Sequence, residues 1–184
     1  MHDNFQINFS LKGFTSILIG VYFLLGSYVI KTLLDGFLID DNPAGMMSVE
    51  IIEFLVIGIA LFVFLFSSLA LFFAGRRNSK RFQYKLWNGK TIAAFFKYFI
   101  GFVIMLIVLV IIKNQGFIDY LTPTFLVLYG ILLFVFKNKE RKQLLVLSGL
   151  CLLLALMCIL IPSYWYSSLS ILGVAHITYG VVVK

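Results

Sequence analysis

Long runs of apolar residues, separated by short polar segments, dominate the pattern along the chain. A transmembrane helix needs roughly 20 consecutive, mostly apolar residues to cross the hydrocarbon core of a bilayer. Runs that meet or approach this length cover residues 14–34, 51–74, 92–112, 120–136, 144–161 and 168–183. They are continuous and lack the alternation typical of membrane β-barrel strands. The pattern therefore predicts an all-α, polytopic integral membrane protein, with a single transmembrane domain built as a bundle of six transmembrane helices.

Composition agrees with a chain whose main solvent is lipid. Apolar residues make up 61% of the 184 residues and charged residues 12%, with a mean hydropathy of +1.03. Soluble globular domains contain about 45–50% apolar and about 25% charged residues. So few polar side chains cannot cover a water-soluble surface, which excludes an ordinary soluble domain. The polar segments between the runs are also too short to form a separate catalytic domain.

The charged residues divide the connecting segments into two classes. When the segments alternate between the two sides of a membrane, thirteen of the fifteen Lys and Arg residues fall on the side that holds both chain ends. Most acidic residues fall on the other side, namely Asp35, Asp40, Asp41, Glu50, Glu53 and Asp119. Lys and Arg are enriched in cytoplasmic loops. The charges therefore predict cytoplasmic N- and C-termini.

The most basic segment is "GRRNSKRFQYKLWNGK", residues 75–90. Its cationic residues are Arg76, Arg77, Lys80, Arg81, Lys85 and Lys90. The first interpretation is a topology signal, but a basic residue also gains roughly 1 kcal/mol near an anionic membrane surface. We therefore predict a lipid-facing basic loop whose partners are anionic lipid headgroups at the inner face. Because the segment lacks the signature of a nucleic-acid-binding fold, no nucleic acid is expected as a partner.

The prolines suggest an internal repeat. Pro43, Pro123 and Pro162 each fall in a predicted outer segment or, for Pro123, at the outer end of the run 120–136, and no proline falls in an inner segment. Proline stops a helix because it lacks an N–H group and its ring clashes with the preceding turn. The pattern suggests three tandem helical hairpins, and internal repeats of this kind occur in many membrane proteins.

The last hairpin reads "LLVLSGLCLLLALMCILIPSYWYSSLSILGVAHITYG". A glycine-bearing helix with Gly149, an outer Pro162, and a second helix with Gly173 and Gly180 together resemble the repeat of the HdeD family of small six-helix bacterial membrane proteins. The resemblance is clearest over residues 144–184, whereas the first two hairpins match loosely. It implies a multi-pass protein of the bacterial cytoplasmic (inner) membrane, linked to acid or envelope stress, with no established catalytic residues to carry over.

His176 is the ionisable residue nearest the middle of a predicted span. Such groups are costly in a bilayer and usually face the interior of a bundle. Gly173 and Gly180 share its helical face and would admit a neighbouring helix, and Tyr179 is a candidate hydrogen-bond partner. Two interpretations stay open. The first is a proton-sensing or proton-carrying histidine, because imidazole titrates near neutral pH. The second, which the sequence favours, is a neutral histidine that makes one structural hydrogen bond.

Several smaller signals concern packing within the spans. Ser16 and Gly20 form a small-xxx-small pair on the first span, which is typical of helix–helix contacts. Ser67 and Ser68 lie deep in the second span, where a hydroxyl bonds back to the preceding turn. Cys151 and Cys158 share one helical face but lie about 10.5 Å apart along the axis. That distance is too great for a disulfide, so we expect free thiols.

The chain lacks the motifs of common membrane enzymes, including HExxH and a phosphate-binding glycine loop. It also lacks Cys/His metal spacings, and the acidic segment with Asp40, Asp41 and Glu50 does not match a calcium loop. No catalytic residue, metal or cofactor is predicted. We expect a non-catalytic accessory subunit of a membrane complex, or an HdeD-like stress-response component, that binds other membrane proteins or copies of itself. The alternative is a small-solute transporter, or the substrate-binding subunit of one, but the scarcity of midplane polar groups favours the first class.

Overall fold

The described part of the chain consists of α-helices and the turns between them. The computed structural model describes residues 11, 13–37, 47–81, 83, 85–87, 89–136 and 144–183. Within these ranges the helices are α1 (Phe14–Phe37), α2 (Val49–Arg81), α3 (Gly89–Asn114), α4 (Leu121–Val135), α5 (Leu144–Leu160) and α6 (Trp165–Val182). Short 3-10 turns, Ile118–Tyr120 and Pro162–Tyr164, lead into α4 and α6. No strand occurs among these residues, which confirms the all-α prediction.

Four helical stretches are long and apolar enough to cross a membrane. They cover Phe14–Phe37, Val49–Lys80, Thr91–Asn114 and Ile118–Val135, with mean hydropathies from 1.8 to 2.8. Helix α5 is apolar but has 17 residues, which gives a length of about 25 Å at 1.5 Å per residue. In α6, His176 and several Ser and Tyr residues lower the hydropathy. Four of the six predicted spans are therefore helices long and apolar enough to cross a membrane, and the six-span bundle stays a prediction.

Helix α2 continues past the end of its apolar run. The sequence pattern places the run at residues 51–74, but the helix ends at Arg81. With 33 residues it is about 50 Å long, whereas the hydrocarbon core of a bilayer is about 30 Å thick. Arg and Lys are good helix formers, so the chain leaves the apolar run without leaving the helix.

Two of the three prolines lie where helices begin. Pro123 is in the first turn of α4, and Pro162 begins the 3-10 turn before α6. A first-turn proline is tolerated because the N–H group that it lacks would have no helical partner. Pro43 lies outside the described residues.

The chain divides into two compact units. The first unit includes residues 73–168, which hold α3, α4, α5 and the end of α2. Its core is formed where α4 packs on α5 through buried leucines, namely Leu126, Leu133, Leu144, Leu147 and Leu154. Helix α3 packs antiparallel on α4, because Gly101 lies against Leu132 while Tyr98 lies against Phe136.

The second unit comprises Leu11–Phe72 and Leu169–Lys184, which hold α1, most of α2 and most of α6. In this unit α1 contacts α2, where Gly26 lies against Val63 and Tyr22 lies against Phe66. Helix α1 also contacts α6, as described below. The packed pairs α1–α2 and α3–α4 agree with the predicted hairpins, whereas α4–α5 and α1–α6 join different hairpins, so the tandem repeat stays a prediction.

Candidate functional site

The candidate site is the contact between α1 and α6 in the second unit, here called the α1–α6 seam. It contains Gly13, Ser16 and Gly20 from the first helix and its start, and Gly173, His176 and Gly180 from the last helix. The backbone N–H of Gly13 donates to the carbonyl oxygen of Val183 at 2.8 Å, while Gly20 lies against Gly173. Residue numbers therefore rise on α1 as they fall on α6, and the two helices are antiparallel.

Glycines let the two backbones of the seam approach closely. An alanine Cβ at Gly20 would lie 2.7 Å from Cγ1 and 2.9 Å from the backbone nitrogen of Ile177. A Cβ at Gly180 would lie 2.6 Å from the carbonyl oxygen of Gly13, and one at Gly173 would lie 2.9 Å from that of Gly20. These distances are shorter than van der Waals contact and involve backbone atoms, which cannot rotate away. The structure thus brings together the glycines that the sequence marked on two separate helices.

Ser16 and His176 form the polar centre of the seam. Both residues are fully buried. The Ser16 hydroxyl donates to the carbonyl oxygen of His176 at 2.8 Å, and the Ser16 Oγ lies 3.2 Å from Nδ1 of His176. A hydroxyl has one hydrogen to donate, and the carbonyl takes it. With that hydrogen on the carbonyl, the tautomer that suits this geometry carries its hydrogen on Nδ1 and donates it to Ser16 Oγ.

Aromatic packing closes the imidazole on one side. The ring of Phe23 stacks on His176 with centroids 5.8 Å apart and an interplanar angle of 13°, within the range of favourable aromatic pairs. Tyr179, the partner that the sequence suggested, is also buried. One hydrogen bond of the imidazole goes to Ser16 on the other helix, and the bond to Tyr179 stays a prediction. An imidazole with no exposed surface cannot touch a solute in this conformation.

A second seam of small residues lies in the first unit, between α4 and α5. The Ser148 hydroxyl donates to the carbonyl oxygen of Gly130 at 2.7 Å. A Cβ at Gly130 would lie 3.1 Å from Cβ of Cys151, so glycine again sets the helix separation. Further along the same face, the Cys158 thiol donates to Ser168 Oγ at 3.0 Å. Both cysteines are buried and free, as predicted.

Sequence reasoning missed parts of both seams. It did not include Gly13 or Phe23 in the first seam, nor Ser148 in the second. The available signal was the spacing of small residues, because Gly13, Ser16 and Gly20 recur on one face of α1. Helix α5 carries a similar stripe, made of Ser148, Cys151, Ala155 and Cys158.

Other hydroxyls in the apolar helices bond within their own helix. Ser67 donates to the carbonyl oxygen of Val63 at 2.7 Å, and Ser68 to that of Phe64 at 2.9 Å. These bonds confirm the expected pattern for α2. Thr178 donates in the same way to Val174 at 2.9 Å. Such bonds satisfy the hydroxyl without linking two helices.

The basic residues lie on helices more than in a loop. Arg76, Arg77 and Lys80 are exposed in the last turns of α2, and Arg81 ends that helix. Lys85 is exposed in the connection between α2 and α3, and Lys90 belongs to the first turn of α3. Five of the six predicted loop cations therefore belong to helices, and Lys85 lies between them.

The acidic segment offers no metal site within the described residues. Asp40 and Asp41 lie outside them, and Glu50 is exposed in the first turn of α2. No group of three His, Cys, Asp or Glu side chains comes together in the part of the chain that the structure covers. Lys31 and Asp35 form an exposed ion pair at i,i+4 spacing on α1, and such pairs contribute little to stability.

An open groove lies in the first unit beside the 3-10 turn that precedes α4. It has a volume of about 380 Å³ and is lined by Ile112, Phe117, Tyr120 and Thr124. The lining is mostly apolar, with two hydroxyl groups.

Comparisons with protein-family models, with curated proteins and with solved structures find no match for this chain.

The hydrogen bond between Ser148 and Gly130 predicts a stability difference between two serine substitutions. We expect Ser148→Ala to destabilise the protein by about 0.5–1.5 kcal/mol, because a bond between two helices in lipid is lost. The matched control is Ser67→Ala, whose hydroxyl bonds within its own helix, and we expect a change near zero. Unfolding in a mixed-detergent titration measures both, and equal losses would contradict the role given to Ser148.

Proposed function

We propose that this chain is a non-catalytic, multi-pass protein of the bacterial cytoplasmic membrane, acting as an accessory subunit of a membrane complex or as an HdeD-like stress-response component. The observation that carries the proposal is how its buried polar groups are used. Ser16, His176 and Ser148 hydrogen-bond across helix–helix seams. Catalysis and solute transport both need polar groups that can reach a substrate, and these groups are occupied in packing.

The exposed apolar surface is compatible with contact to lipid, to other membrane helices or to copies of the same chain. In the most apolar 18-residue stretch of each of α2 and α3, only 11% is buried inside the protein. Large side chains cover these surfaces, among them Phe54, Phe62, Phe96 and Phe99. Lipid chains or neighbouring helices satisfy such a surface equally well, because no hydrophobic driving force separates the two in a bilayer.

The topology that goes with this proposal has six spans and both termini in the cytoplasm. The distribution of Lys and Arg supports it. The antiparallel α1–α6 seam supports it as well, because the contact between Gly13 and Val183 holds the beginning of α1 beside the end of α6. Two ends that contact each other lie on the same side of a membrane, and this requires an even number of spans.

The HdeD-like part of the proposal rests on the last hairpin. Gly173 and Gly180 occupy positions where a side chain would collide with α1, and Pro162 begins the turn between α5 and α6. These three residues therefore have physical reasons to be there. Gly149 does not, because a Cβ built on it meets no atom within 4 Å.

The second candidate function is small-solute transport. The open groove beside Tyr120 and Thr124 has a lining compatible with it, because small-molecule sites are mostly apolar with a few polar groups. Its lining combines these two hydroxyl groups with Ile112 and Phe117.

Purification of the tagged full-length chain from native membranes in a mild detergent tests the proposal. We expect a membrane protein to accompany it at a fixed stoichiometry, measured by quantitative mass spectrometry. A variant with Phe54→Ala and Phe62→Ala removes exposed apolar surface from α2 without altering either seam. If α2 contacts the partner, this variant should retain less of it than the wild-type chain does. A chain that purifies alone and drives solute uptake in proteoliposomes would refute the accessory role in favour of transport.

A further inference from the structure

The end of α2 is an amphipathic helix segment within the first unit. Gly75 and Ser79 lie one turn apart and are buried, whereas Arg76, Arg77 and Lys80 are exposed. We call these three exposed residues the basic facet. One face of this helical segment is therefore buried, and the three cations are presented from a helix and not from a loop.

The facet lies at the depth of lipid headgroups if α2 spans the membrane. The apolar run of α2, residues 51–74, is about 36 Å long at 1.5 Å per residue, a little more than the hydrocarbon core of about 30 Å. Arg76 follows this run directly. Trp87 lies in the same unit, is 46% exposed and packs edge-on against Phe95 with centroids 5.7 Å apart. Exposed tryptophan is typical of the interface between membrane and water.

The charge of the facet is not neutralised within the described residues. No carboxylate there forms an ion pair with Arg76, Arg77 or Lys80; the ion pair that the structure shows joins Lys31 and Asp35 in the second unit. The described carboxylate of the first unit is Asp119, which follows the far end of α3. Among the described residues, the three adjacent cations therefore have no carboxylate partner, and anionic headgroups are available at this depth.

We propose that the basic facet binds the phosphate groups of anionic phospholipids in the leaflet that it faces. Two guanidinium groups and an ammonium group suit this ligand, since Arg makes paired hydrogen bonds to phosphate and Lys adds a point charge. A bound headgroup fixes the depth at which α2 sits and supplies the missing negative charge. Assignment of this leaflet to the cytoplasmic side rests on the topology in the proposed function, but binding itself does not.

Native mass spectrometry of the full-length, detergent-solubilised chain tests the proposal. The protein is titrated with phosphatidylglycerol and with phosphatidylcholine of the same acyl chains, and the ratio of the two dissociation constants is the readout. We expect the wild-type chain to prefer phosphatidylglycerol, and R76Q/R77Q/K80Q to lose at least five-fold of that preference, about the effect of one interfacial charge. The matched control K31Q/K113Q removes one charge near the C-terminal end of α1 and one from the last turn of α3. It should keep the preference for phosphatidylglycerol.

Several results would overturn the proposal. They are equal binding of the two lipids by the wild-type chain, and an unchanged preference in R76Q/R77Q/K80Q. If inorganic phosphate or an oligonucleotide displaces phosphatidylglycerol completely at physiological salt, the facet is a site for a soluble anion instead. A variant that keeps the charges, R76K/R77K, guards against misfolding and should retain most of the preference. Reporters fused to the two termini test the leaflet separately, so that a wrong topology is distinguishable from a facet that does not bind lipid.

Discussion

Replacing Gly20 by alanine is expected to destabilise the second unit by about 1–3 kcal/mol, the usual cost of overpacking a tight contact. The new Cβ would lie 2.9 Å from the backbone nitrogen of Ile177. Because a backbone atom cannot rotate aside, α1 and α6 have to separate. Separation also weakens the hydrogen bonds between Ser16 and His176, so the loss should exceed that of a simple surface change.

The control for this prediction is Gly58→Ala. Gly58 lies within α2, and a Cβ built there meets no atom within 4 Å. We expect no loss, or a gain of up to about 1 kcal/mol from the better helix propensity of alanine. Unfolding in a mixed-detergent titration gives both free energies, and size-exclusion chromatography shows whether each variant stays monodisperse. Equal effects at Gly20 and Gly58 would show that close approach of α1 and α6 does not limit stability.

Both seams use the same arrangement of a serine and a glycine-lined contact. Ser16 donates to the carbonyl oxygen of His176, and Ser148 donates to that of Gly130. A serine side chain is short, so its hydroxyl reaches the facing backbone only where small residues bring two helices together. In lipid this contact replaces the hydrophobic driving force that joins helices in water.

The helices could be predicted from the sequence, but their partners could not. An apolar run is a local signal, and the small-residue faces around Ser16 and His176 were each visible on their own helix. Their pairing spans 160 residues of sequence. Helix α5 offers a similar stripe around Ser148 and Cys151, so small residues alone do not show which faces meet.

The end of α2 shows a second reason why the sequence could not predict the whole structure. Hydropathy falls after Ala74, and a hydropathy pattern places the end of the span there. The helix continues to Arg81, because Arg and Lys are good helix formers and a fall in hydropathy does not by itself end a helix. The predicted basic loop is therefore partly a helix, and the exposed facet on that helix could not be recognised from charge alone.

Replacing His176 by alanine is expected to cost about 2–4 kcal/mol, in the range of other large-to-small changes in a core. The imidazole is fully buried, stacks on Phe23 and bonds to Ser16. Ser16→Ala should cost less, about 1 kcal/mol, because the imidazole keeps its packing and loses one hydrogen-bond partner. If the two side chains act as a pair, the double variant will lose less than the sum of the single variants, by about 0.6–1.7 kcal/mol. Strict additivity would show that the bond contributes nothing.

The hydrogen-bond geometry also separates the two interpretations of His176. If the residue is structural, Nδ1 holds its hydrogen toward Ser16, and ¹⁵N NMR of the labelled imidazole should report that tautomer unchanged between pH 5 and 8. His176→Leu, which fills much of the same volume, should then leave membrane abundance and any cellular phenotype near those of the wild type. If His176 senses protons, the imidazole spectrum should change within that pH range. The His176→Leu chain should then lose the phenotype while it is still present at normal abundance. The imidazole is fully buried in a contact that glycines hold closed, so water does not reach it in this conformation. That arrangement favours the structural role.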